Sequence, residues 1–132
     1  MKYILILFCL MACACTVFKS GYQKGHLYSV YKIDSINNYY LIYARSNDSL
    51  YKIVSKKSTN THGDYIRINK RYPFQLHSML STFKINGVSI TPQTMNVNCF
   101  SFDKETSICL EGDSIRNLYQ GDNIHGLYFL RK

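Results

Sequence analysis

From His26 onward the chain is a succession of short runs of β-branched and aromatic residues broken by polar turn formers. That texture constrains the fold more than any other feature. HLYSVYKIDSI and YYLIYAR are separated by Asn37-Asn38, and YYLIYAR and SLYKIVSKK by Ser46-Asn47-Asp48. Such breaks between runs of strand length read as hairpins, because asparagine tolerates the left-handed backbone of a tight turn. Asn86-Gly87 inside FKINGVSI marks another hairpin. YIRIN alternates, which puts Ile66 and Ile68 on one face. PFQLHSML repeats the alternation, with Phe74 and Leu76 inward and Gln75 and His77 outward.

One helical period stands out. Ile115, Leu118 and Tyr119 fall at i, i+3 and i+4 behind a cap at Asp113 or Ser114, and Gly121 can end the helix. IHGLYFL comes next as a last strand. The expected fold is all-β: a small antiparallel barrel or sandwich over residues 26–132, with one short helix near the C-terminus. Ile33, Leu41, Ile53, Ile66, Ile68, Leu76, Ile108, Leu118 and Leu127 are its expected core.

The first residues have a different character. Lys2 precedes an apolar stretch, Tyr3 to Ala12, too short to span a bilayer as a helix and suited to the hydrophobic region of a signal peptide. Leu10-Met11-Ala12-Cys13 then resembles the bacterial lipobox. The resemblance implies that the thiol of Cys13 is diacylated, that the peptide is cut before it, and that the new amino group is acylated. Residues 1–12 are then a signal peptide, and residues 13–25, with Lys19, Ser20, Gly21, Lys24 and Gly25, a tether. Cys9 leaves with the signal peptide, and Cys15 has no assigned role. The expected location is the bacterial cell envelope, with the acyl chains on Cys13 in the outer membrane.

Cys99 and Cys109 lie on the arms of a hairpin around Asp103-Lys104-Glu105. If Phe102 opposes Thr106, the same register sets Cys99 across from Cys109 and pairs Phe100 with Ile108 on the other face. Opposed strand residues are close enough for a disulfide, and an exported compartment is oxidising. The other reading is two reduced cysteines packed as small hydrophobes. The sequence leaves both open.

The formal charge of +8 is scattered, with adjacent cations only at Lys56-Lys57, Lys70-Arg71 and Arg131-Lys132. This reads as a solvated basic surface, and no nucleic-acid partner is expected. His26, His62, His77 and His125 share no metal-ligand spacing, and no Gly-x-Ser-x-Gly occurs. Most carboxylates sit in expected turns; Glu111 alone is placed at a strand end. No cofactor, metal site or catalytic residue is assigned.

YKIDSINNYYLIYA, DSLYKIVSKK and ICLEGDSIRNLYQGDNIHGLYFL make the chain similar to small lipoproteins of Bacteroidetes, a family that implies a location and no chemistry. Asp34-Ser35-Ile36, Asp48-Ser49-Leu50 and Asp113-Ser114-Ile115 resemble the Asp-Ser/Thr-aliphatic acceptor of O-glycosylation in those bacteria. This implies sugars on Ser35, Ser49 and Ser114, although Asp-Ser is also turn chemistry. The expected function is a membrane-anchored envelope lipoprotein acting as a non-enzymatic binding or structural module for a protein or glycan partner. The alternatives are a small hydrolase using His77 or His125, or an oligonucleotide-binding barrel stacking bases on Tyr39, Tyr40, Tyr43 and Tyr51.

Overall fold

A computed structural model describes residues 26–80, 83–90, 98–112 and 114–131. The expected signal peptide, tether and lipid site at Cys13, together with Cys9, Cys15 and Asp113, lie outside the described residues. Thirteen strands run in order among those described: β1 Tyr28–Ile36, β2 Tyr39–Ser46, β3 Ser49–Lys56, β4 Asp64–Tyr65, β5 Arg71–Tyr72, β6 Leu76–Ser78, β7 Phe83–Ile85, β8 Val88–Ile90, β9 Cys99–Ser101, β10 Ser107–Cys109, β11 Leu118–Gly121, β12 Ile124–His125 and β13 Tyr128–Phe129.

The order β5-β1-β2-β3-β11-β6 forms the main sheet, and β2 lies inside it. Its sequence, YYLIYAR, is apolar almost without a break because both faces of this strand are covered. Tyr39, Leu41 and Tyr43 enter one core with Val54, Ile108, Ile115 and Leu118. Ile42 and Ala44 enter the other with Val30, Ile53, Ile66, Phe74 and Phe129. Full burial of Ile42 or Ile53 contributes about 2 kcal/mol each.

The turns are as short as the sequence indicates. Ile36 pairs with Tyr39, Ser46 with Ser49, and Ile85 with Val88, so each loop has two residues. Asn37, Asn47 and Asn86 all take positive φ there, as hairpin turns require. The first core is closed by the small sheet β12-β13-β4. The second is closed by the β9–β10 hairpin and the segment after it.

Three expectations are corrected. No helix forms among the described residues: Ile115 makes a bridge with Glu111, and Leu118 and Tyr119 are in β11. The sheet is not purely antiparallel either, since β11 pairs parallel with β3 through Leu118–Lys52 and Tyr119–Ile53. Ile68 is 48% exposed, whereas Ile66 is fully buried. The strand stops at Tyr65, and the chain turns through Asn69 at φ 63°, which releases Ile68 from the alternation. Ile33 and Leu76 are half-buried, packed against the first core.

Candidate functional site

Tyr43 and Lys52 face each other across β2 and β3, on the side that carries the second core. Lys52 is 5% exposed, unusual for a lysine, and its surroundings explain how it is held. Its Nζ donates to Glu111 Oε1 at 2.8 Å and to the Cys109 carbonyl at 2.9 Å. The Tyr43 hydroxyl donates to the same Glu111 oxygen at 2.5 Å. The Lys52 ammonium and the Tyr43 hydroxyl hold the Glu111 carboxyl below its usual range. Burial, and then Glu111 itself, pushes the Tyr43 phenol upward. The triad is a brace: it fastens the hairpin and its following segment to the sheet.

From this brace a line of cations and rings runs outward. Lys32 Nζ sits 4.6 Å from the Tyr43 ring centroid, and the Tyr31 and Tyr43 rings are 6.1 Å apart. Arg45 lies 5.6 Å from the Tyr31 ring. A register shift between Val30 and Lys32 puts Tyr31 out of the regular ladder. Such a bulge re-aims a side chain, and Tyr31 is 37% exposed although its neighbour Val30 is fully buried. Tyrosine and arginine on a rigid sheet are the residue types that carry energy at binding surfaces.

Cys99 and Cys109 are directly opposed and joined as a disulfide. Phe102 N–H donates to Thr106 O, and Leu110 N–H to Asn98 O. The cysteines therefore occupy a non-hydrogen-bonded pair, where opposed Cα atoms come closest. Both are exposed, unlike small hydrophobes of a core. At the hairpin's tip Asn37 Nδ2 donates to Thr106 Oγ1 at 3.0 Å, and at its base Lys52 holds the Cys109 carbonyl. The hairpin is tied at both ends.

The hydrolase alternative asks that His77 or His125 meet a serine or carboxylate: His77 meets Asp122, and His125 shares a cleft with Ser55 and Ser58. His77 lies on the exposed side of β6, with Nδ1 3.2 Å from Asp122 Oδ1 and Nε2 3.3 Å from Gln120 Oε1. A hydrolytic nucleophile would need the place Gln120 holds. Tyr39 and Tyr43 are buried, and Tyr40 and Tyr51 pack against the first core, so these rings do not form the base-stacking platform. Among the described residues no group of three or more histidines, cysteines and carboxylates converges on a metal position.

Ser49 is exposed beside the Asn47–Asp48 turn. Ser35 is exposed on β1, and its N–H donates to Asp34 Oδ1. Ser114 is exposed, and its N–H donates to the Glu111 carbonyl rather than capping a helix. Lys52 and Tyr31 carried no expectation from the sequence. A lysine amid the apolar residues of SLYKIVSKK, together with the one carboxylate at a strand end, was the signal for the brace. No family profile, curated protein or solved structure matches this chain.

Proposed function

We propose that the chain is a lipid-anchored module of the bacterial envelope that binds a protein or glycan partner without chemical turnover. The lipobox-like Leu10-Met11-Ala12-Cys13 supports the anchor, and the similarity to small Bacteroidetes lipoproteins supports the location. The bulge at Tyr31 carries the binding reading. It presents Tyr31 and Arg45 outward from a sheet braced beneath by Tyr43, Lys52 and Glu111. A patch of this kind keeps its shape before a partner arrives, so little ordering entropy opposes binding.

Crosslinking of the tethered protein in living cells, followed by affinity purification, tests this. One stoichiometric envelope partner is expected, with recovery lost in a Tyr31→Ala/Arg45→Gln variant. Turnover of a glycan or peptide by the pure protein, abolished in His77→Gln, would replace binding with hydrolysis.

Of the three Asp-Ser motifs, Ser49 is the best placed acceptor, because a bulky sugar needs an exposed turn. Ser49→Ala is expected to raise the gel mobility of protein made in its own host. Unchanged mobility in the Ser35, Ser49 and Ser114 triple variant removes glycosylation.

A further inference from the structure

β3 ends in Lys56, and Lys57 and Ser58 continue beside β12. Between these segments is a cleft of about 280 Å³ lined by Ser55, Lys56, Lys57, Ser58, His125 and Gly126, with Ile124 at its base. The lining groups include two lysines, a histidine and two serines, and no carboxylate. Among the described residues neither lysine is ion-paired. Lys57 Nζ is instead held 5.3 Å from the ring of Tyr40, the strand neighbour of Ser55.

A second cleft of about 230 Å³, at Arg71, Tyr72 and Phe129, also has cations, but there Asp64 binds Arg131 at 2.6 Å. There Arg131 has its counter-ion, whereas among the described residues Lys56 and Lys57 have none.

The wall opposite Lys57 depends on Gly126, at φ +58°. Its backbone comes close enough to Ser58 that an added Cβ would lie 3.4 Å from the Ser58 nitrogen. The cleft is therefore shaped by backbone, not only by mobile lysines.

We infer that this cleft takes an anionic group, a phosphate or carboxylate, carried on an envelope glycan. A site near 300 Å³ is at the small end of ligand pockets and suits one charged sugar unit. Lys56 and Lys57 supply charge, while His125, Ser55 and Ser58 are the polar groups at its wall.

The glycan is preferred over a lipid headgroup because the described chain begins far from the cleft. The described chain enters at β1, where Ser29 pairs with Arg45 and Arg45 with Leu50, at the Ser46–Ser49 end of the sheet. The cleft is at the other end, where Lys57 N–H donates to the Asn38 carbonyl. Eight-residue β3 separates the two by about 23 Å. An anchor preceding His26 is thus joined at the end of the sheet opposite the cleft. The choice of source rests on the anchored reading proposed above; the anion site does not.

The test is an amide NMR titration of the full chain in neutral detergent micelles. The probes are inorganic phosphate, a glucuronate-containing tetrasaccharide, neutral maltotetraose and, in a separate detergent-free sample, phosphatidylglycerol vesicles. Saturable shifts at Ser58 and Gly126 are expected with phosphate and the acidic tetrasaccharide, and none with maltotetraose. Lys57→Gln and His125→Gln each weaken binding about tenfold, the size of one lost charge-assisted contact. Lys70→Gln, on another face, leaves it unchanged. An equal response in Lys57→Gln, or shifts spread evenly over the surface, overturns the site. A response to the vesicles alone overturns the glycan assignment. Loss of the crosslinked partner with the titration intact would count against the Tyr31 surface and not against this cleft.

Discussion

Lys52 is the residue whose surroundings make the sharpest demand. Glu111→Ala leaves a buried ammonium with the Cys109 carbonyl and the Tyr43 ring but no counter-ion among the described residues, and we expect a loss of about 2 kcal/mol, less than for a fully enclosed pair because Glu111 is 43% exposed. Lys52→Met/Glu111→Gln removes both charges and is expected to cost less than Glu111→Ala alone in urea denaturation. The pH dependence has a definite sign. The folded-state pKa of Glu111 lies below the unfolded value, near 4.5. Its contribution is complete above that value and is lost as pH falls through the folded pKa. The wild-type chain is therefore expected to lose stability on acidification below about pH 4.5 more steeply than Glu111→Gln; parallel acid limbs would mean that Glu111 does not brace the sheet. The sequence hid this brace for a simple reason. Alternation in SLYKIVSKK is read from its apolar members, and burial of Lys52 depends on a carboxylate 59 residues away. Ile68 fails in the opposite sense: the local pattern was clear, but Asn69 at φ 63° turns the chain before the pattern is used.

At the scale of elements, the hairpins were legible because their signals are local. Asn at positive φ in a two-residue loop is written in two adjacent positions, and the register of β9 with β10 comes from one three-residue loop. The segment from Ile115 to Gly121 was not legible, because its spacing serves two structures. Ile115 and Leu118 enter the second core as a helical face would, yet Tyr119 points to the opposite face against Tyr51. A helix of two turns is marginal alone. Extended pairing with β3 covers both faces of the sheet and prevails. The β9–β10 hairpin is similarly short, and its crosslink matters accordingly. Cys99→Ser/Cys109→Ser opens a loop spanning 10 residues in sequence, and chain entropy puts the cost at about 2.5 kcal/mol. Thermal unfolding with and without reductant measures it; reductant should lower the midpoint of wild type and leave the double variant unmoved. Ile108 and Phe100 cover the second core from this hairpin, so the reduced protein should also bind a hydrophobic dye sooner on heating.

For the whole molecule, the order of strands separates two jobs. The central strands β1 to β3 form one continuous meander; β5, β11 and β6 extend it at its edges, and β12-β13-β4 and β9–β10 cover its two faces. The anchor proposed at Cys13 precedes the described residues, which begin at His26, and its proposed role is location. One acyl chain holds a protein to a bilayer only marginally, at about 0.8 kcal/mol per buried methylene, whereas three together hold it durably. Cys13→Ala is therefore expected to abolish labelling with radioactive fatty acid and to leave uncleaved precursor, while the thermal midpoint of the domain is unchanged. Labelling that survives in Cys13→Ala and disappears in Cys15→Ala moves the anchor by two positions and keeps the rest of the reading. Labelling unaffected in both variants removes the lipid altogether. In that case the cleft at Lys57 would lose its proposed place at a membrane but keep its charge, and the titration with phosphate would still decide whether it binds an anion.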